Sequence, residues 1–95
     1  MEEKYFVYIL FSESINQFYI GHTQDLTERL NRHTTSRNKS TKKATDWTLV
    51  YNEVYHTRSD AMRRELEIKK KKSRIYIEKL ISSFGFSVPK GISGR

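Results

Sequence analysis

A chain of 95 residues has room for one compact domain with a thin core, so a polar residue at a core position carries information. With 18 Lys plus Arg against 11 Asp plus Glu the formal net charge is +7, and the simplest partner for such a balance is a polyanion, nucleic acid being the commonest. The absence of Cys excludes disulfides and Cys-ligated zinc, and no apolar run is long enough to cross a membrane.

Met1-Glu2-Glu3-Lys4 lacks the basic start of a signal peptide, and the expectation is a soluble, cytoplasmic, monomeric protein. "YFVYILF" (Tyr5–Phe11) is an unbroken β-branched and aromatic run that suits a strand buried on both faces. "SESIN" (Ser12–Asn16) joins it to "QFYIG", which predicts an antiparallel hairpin. Gly21 is expected to turn the chain out of the second strand. A helix follows, with Asp25 as its cap and Glu28 three residues on. Leu26, Leu30 and His33 form one stripe on it, and it should fade near Ser36.

"RNKSTKKATD" (Arg37–Asp46) has no periodicity and reads as a basic loop. "WTLVYNEVY" (Trp47–Tyr55) predicts a third strand, with Trp47, Leu49, Tyr51, Glu53 and Tyr55 on one face and Val50 and Val54 on the other. Thr57 and Asp60 are capping candidates for a second helix running to about Lys72. Its apolar positions are Ala61, Met62, Leu66 and Ile68. Ser73 caps a last helix carrying Ile75, Ile77, Leu80 and Ile81, after which residues 84–95 form an irregular tail from which Phe84 and Phe86 can fold back onto the body. The expected class is α+β: one domain over 1–83, a small three-stranded antiparallel sheet flanked by helices.

Several polar residues sit where a core is expected. Glu65 falls inside the predicted apolar arc of the second helix. It is either a salt-bridge partner of a Lys or Arg, or a metal ligand or acid facing a cleft. Arg29 lies about 60° from Leu26 on the first helix, as a snorkelling side chain or a bidentate phosphate clamp. His33 is a packing residue or a proton relay. Tyr8 and Tyr19 fall on adjacent strands, as packing aromatics or as two phenols near Gly21. Arg37, Lys39, Lys42 and Lys43, with Lys69, Lys70, Lys71 and Lys72, make two basic segments able to track a phosphate backbone. No Ser-His-Asp pattern and no phosphate-binding Gly loop is present.

The arrangement resembles the GIY-YIG nuclease family, and most resembles its small stand-alone bacterial members of the UPF0213 type. The second signature stands as Tyr19-Ile20-Gly21, and the first as Val7-Tyr8-Ile9, with Val where the family name has Gly. Tyr8 precedes Tyr19 by eleven residues, a spacing the family uses. "DLTERLNRH" is similar to the family's Arg-bearing segment, and "TRSDAMRRELEIK" to its Glu-bearing helix. The likeness runs from about residue 4 to 81.

What the resemblance implies is metal-dependent hydrolysis of phosphodiester bonds in nucleic acid, DNA ahead of RNA, with structure-specific cutting in repair or recombination as the setting. It implies that Glu65 holds one divalent cation, Mg²⁺ or Mn²⁺. Arg29 binds the scissile phosphate, Tyr8 or Tyr19 positions or deprotonates the attacking water, and His33 aids proton transfer. The chain has no Asn or Gln after Asn52, where many family nucleases carry an Asn on the helix after the Glu. The alternative is a nucleic-acid-binding module of the same fold without turnover.

Overall fold

The computed structural model describes residues 3–34 and 44–85, and within helix α1 the side chains of 32–34 lie outside the description. Arg37, Lys39, Lys42, Lys43, Phe86 and the His33 side chain therefore fall outside the described residues. In chain order the elements are β1 (Tyr5–Ser12), β2 (Gln17–Thr23), α1 (Leu26–Thr34), β3 (Trp47–Tyr55), α2 (Arg58–Lys71) and α3 (Arg74–Ser83). The sheet is antiparallel in the order β2-β1-β3. The expected α+β class, a three-stranded antiparallel sheet flanked by helices, is the class observed.

β1 is the central strand, and all its residues except Phe6 are buried. Its side chains alternate between two cores, as the pleat requires. Tyr8 and Leu10 pack with Trp47, Leu26 and Leu30 on the α1 side. Tyr5 and Val7 meet Ala61 and Ile68 of α2, while Ile9 and Phe11 meet Ile81 of α3. An unbroken apolar run is what a strand covered on both faces needs.

The third strand departs from the simple alternation. Leu10 pairs with Leu49 and Ile9 with Tyr51, so the register shifts and Val50 is the extra residue of a bulge. The bulge switches faces midway. Trp47 and Leu49 join the α1 core, whereas Val50, Tyr51 and Tyr55 join the cores under α2 and α3.

α1 begins as its sequence signals, with Asp25 Oδ1 accepting from the Glu28 backbone N–H at 3.0 Å. α2 is capped by Thr57, whose side chain accepts from the Asp60 N–H, and ends at Lys72 in the left-handed conformation (φ 49°). Its buried residues are Ala61 and Ile68, two turns apart, with Arg64 and Glu65 half-buried between them. Met62 and Leu66, expected on the covered face, are 44% and 56% exposed. Ile75 of α3 is likewise exposed, and Ile81 is the residue that α3 buries. Phe84 is exposed but sets its ring edge-on to Tyr51 at 5.5 Å.

Candidate active site

Tyr8, Tyr19, Gly21, His22, Arg29 and Glu65 line one pocket of about 140 Å³ beside β2, one of the two edge strands. The residues arrive from four elements: Tyr8 from β1, Tyr19, Gly21 and His22 from β2, Arg29 from α1 and Glu65 from α2. Period-two geometry divides them between the two faces of the sheet, and the pocket joins them around the edge of β2. Tyr19 and Gly21 point to the α1 side of the sheet with Tyr8, while His22 follows Ile20 toward the α2 side.

Gly21 does not turn the chain. β2 continues through His22 to Thr23, and Gly85 is the positive-φ glycine among the described residues. The function of Gly21 is clearance. It stands opposite Tyr8 across the hairpin, and a Cβ there would come within 2.7 Å of the Tyr8 hydroxyl. The Tyr8 and Tyr19 ring centroids are 6.3 Å apart.

Among the described residues Glu65 carries two polar contacts. His22 Nδ1 shares a hydrogen bond with Oε1 at 2.5 Å, and Lys69 Nζ donates to Oε2 at 2.6 Å. Burial pushes the Glu65 carboxyl up, but the hydrogen bonds from His22 and Lys69 outweigh it and hold the group below its ordinary value. Glu65 is therefore an anion at neutral pH. Its side chain is 14% exposed and that of Lys69 is 48% exposed. Lys69 is thus the loosely held partner, since exposed i,i+4 pairs contribute little.

Tyr8 is almost fully buried. Burial, reinforced by the neighbouring Tyr19, raises its phenol well above the ordinary tyrosine value, and the Arg29 guanidinium pulls back only in part. The sequence-based expectation allows Tyr8 to deprotonate a water. In this pocket Tyr8 keeps its proton, which leaves it a hydrogen-bond donor. Arg29 Nε is buried and has no hydrogen-bond partner among the described residues.

The four-Lys run divides its contacts. Lys69 pairs with Glu65, Lys71 lies 5.2 Å over the Tyr76 ring, Lys72 caps α2, and Lys70 lines a surface groove with Arg63 and Leu66.

Two features escape sequence reasoning. His22 is missed when the strand is ended at Gly21. Extending the alternation by one step places it on the α2 side with Ile20. Arg64, next to Glu65, forms the anchor of α2. Its Nε and Nη2 donate to Glu53 at 3.0–3.2 Å, and its Nη1 donates to Glu67 and to the Tyr76 hydroxyl at 3.0 Å. Tyr51 and Tyr55 donate to the same Glu53 carboxylate. This clamp fixes the rotation of α2 and so the side on which Glu65 emerges.

Known proteins match this chain along most of its length. Residues 4–79 match the family model of the GIY-YIG catalytic domain. A UPF0213 protein of Staphylococcus aureus (strain Mu3) is 38% identical over 68 residues, covering 70% of this chain and 82% of that protein. One from Staphylococcus haemolyticus is 39% identical over 67 residues, covering 70% and 80%. The solution NMR structure of a UPF0213 protein from Bacillus halodurans superposes with a TM-score of 0.52 at 31% identity, over 83% of each chain. This chain belongs to the GIY-YIG nuclease family, as a small UPF0213-like member.

Proposed function

We propose that the protein is a divalent-metal-dependent endonuclease acting on phosphodiester bonds of nucleic acid, DNA ahead of RNA. The observation that carries this reading is the meeting of Tyr8, Tyr19, Arg29 and Glu65 in one pocket. Hydrolysis of a phosphodiester develops negative charge on the nonbridging and leaving oxygens. Arg29 offers a planar fork matched to a phosphate, and its buried Nε has no protein acceptor among the described residues. Tyr8, protonated, donates to a phosphate oxygen or orients the attacking water. Tyr19 flanks it. His33, four residues after Arg29 along α1, is assigned proton transfer, and Lys69–Lys72 with the basic segment at 37–43 are assigned to the backbone beyond the scissile phosphate.

The donor set fits a hard cation. Glu65 is anionic, and among the described residues no group of three or more His, Cys, Asp or Glu gathers to hold a metal. Mg²⁺ and Mn²⁺ accept one carboxylate, with waters and substrate phosphate as the remaining ligands. Bound at Glu65, the cation supplies charge neutralisation at the phosphate.

Purified protein incubated with single-stranded, duplex and branched DNA, and with RNA, in Mg²⁺ or Mn²⁺ tests the proposal. Metal-dependent cutting lost in Glu65→Ala is expected. Cutting undiminished in that variant sinks the assignment. The engagement of both Glu65 oxygens by His22 and Lys69 favours a second reading, a binding module without turnover. That reading predicts salt-sensitive binding and no cleavage with any metal.

A further inference from the structure

The described surface offers several other features, and most are already satisfied. The Ser12–Ser14–Asp46 cluster is a closed set of hydrogen bonds that ties the hairpin to the start of β3. The Arg64–Glu53 clamp is saturated. Met62 and Leu66 leave an apolar strip on α2, and nothing about it specifies what covers it. His22 is different, because it is a metal-ligating side chain in the candidate active site with no assigned part.

Resting on the metal-dependent reading above, we propose that His22 is a second protein ligand of the cation held by Glu65, forming a Glu–His pair that favours Mn²⁺ over Mg²⁺. His22 Nδ1 and Glu65 Oε1 face one another at 2.5 Å inside the pocket. Two donors directed at one point can be joined by a cation as well as by a proton. With the imidazole proton on Nε2, the Nδ1 lone pair would be free to bind the cation beside the Glu65 carboxylate, in place of the hydrogen bond between them. A slight parting of the side chains makes them neighbouring ligands. The pocket of about 140 Å³ has room for the ion and a few waters, each occupying roughly 30 Å³.

Imidazole nitrogen is a good ligand for first-row transition ions and a poor one for Mg²⁺, which prefers oxygen. A site with one carboxylate and one imidazole therefore separates the two ions, whereas a lone carboxylate does so weakly. Lys69, on the other carboxylate oxygen, is half-exposed and can swing outward. Arg29 is the second cation in the pocket, and a substrate phosphate lying between it and the metal relieves their repulsion.

The test uses the full chain and Mn²⁺ itself. Titration followed by electron paramagnetic resonance gives the Mn²⁺ affinity of wild type, His22→Gln and Glu65→Gln, and displacement by Mg²⁺ gives the preference. Pulsed echo-modulation spectra of the Mn²⁺-loaded protein report any coordinated nitrogen. The expected result is a ¹⁴N modulation in wild type that is absent from His22→Gln. That variant should also lose Mn²⁺ affinity by about tenfold, the least that outer-shell substitutions cost, with little change for Mg²⁺. Absence of the modulation in wild type, its persistence in His22→Gln, or an equal loss for both ions overturns the proposal. If Glu65→Gln binds Mn²⁺ as well as wild type does, the metal assignment of Glu65 is the part that fails. If Glu65→Gln loses Mn²⁺ and His22→Gln does not, this inference alone fails.

Discussion

The Tyr8 hydroxyl occupies the space that a side chain at Gly21 would need. A Cβ at that position would stand 2.7 Å from Oη and 2.9 Å from Cζ of Tyr8, and 3.2 Å from Cε2 of Tyr19. The two residues are cross-strand partners in the hairpin, so their separation is set by the ladder itself. Tyr8 is 1% exposed, and the space open to its phenol is the candidate site pocket that it lines. Gly21→Ala must therefore displace either the phenol or the strand.

Overpacking of this kind costs about 1–3 kcal/mol. Gly21→Ala is expected to lower the urea midpoint by a corresponding amount and to abolish cleavage, because Tyr8 and Tyr19 move together. Equilibrium denaturation and a cleavage assay on one preparation check both halves. Wild-type stability and activity in the variant would falsify the clearance argument.

The Arg64–Glu53 clamp makes a second prediction, with a pH signature. Burial raises the Glu53 carboxyl, but hydrogen bonds from Arg64, Tyr51 and Tyr55 together override it, so Glu53 titrates below its ordinary value. A folded-state value below the unfolded one contributes stability above the unfolded value near 4.5 and loses it as pH falls through the folded one. Asp46 and Glu65 are depressed as well and add to the same acid limb. The urea midpoint of wild type should hold between pH 7 and 5 and fall steeply below pH about 4.5. Glu53→Gln should start lower and fall less. Arg64→Met leaves the Glu53 charge without its main partner and should cost up to about 3 kcal/mol at pH 7. A Glu53→Gln curve parallel to wild type would show that the clamp contributes nothing to the acid limb.

Much of this architecture is legible in the sequence because single strong signals specify it. The apolar run of β1, the capping set at Asp25 and Glu28, and the caps at Thr57 and Ser73 each declare one element locally. What escapes detection depends on contacts between elements. The bulge at Val50 flips half of β3, yet "WTLVYNEVY" alternates perfectly on paper, because a bulge is set by the partner strand. On α2, apolarity points to Met62 and Leu66, while the sheet covers the Ala61–Ile68 stripe. The polar members of that stripe, Arg64 and Glu65, are the anchor and the site residue. The sequence does mark Glu65 as a carboxylate on a covered side, although the arc that marks it is misplaced. Of its two partners, Lys69 is readable as an i+4 neighbour, while His22 lies 43 residues away and depends on knowing where β2 ends.

Tyr8 is expected to act as a donor, with the proton retained. Burial holds its phenol above the ordinary tyrosine value, so almost none is ionised at neutral pH. Tyr8→Phe should lower kcat by about tenfold to a hundredfold, the worth of one hydrogen bond to a charged group, without changing the shape of the pH–rate profile. Were Tyr8 the base, its removal would flatten the alkaline rise of the rate. Cleavage by wild type and Tyr8→Phe measured from pH 6 to 10 on one substrate separates the two roles.

Arg29 tests whether the pocket is organised for a ligand at the expense of the free protein. Its Nε is buried with no protein partner among the described residues, a state that costs about 1–3 kcal/mol when nothing fills it. A fold selected for stability alone would place an apolar side chain at this point on α1, beside Leu26 and Leu30. Arg29→Met is therefore expected to leave the urea midpoint at or above wild type, by about 1 kcal/mol, while eliminating cleavage. Arg29→Lys keeps the charge but not the planar fork, and kcat/KM should fall on the order of 10²–10³-fold, as when one preorganised donor is removed. The two variants read different quantities. The lysine substitution reports how much of the phosphate contact is geometry, and the methionine substitution reports what the empty donor costs the fold. If Arg29→Met proves markedly less stable than wild type, the guanidinium is held for the fold's own sake, and its unpaired Nε then says nothing about a phosphate.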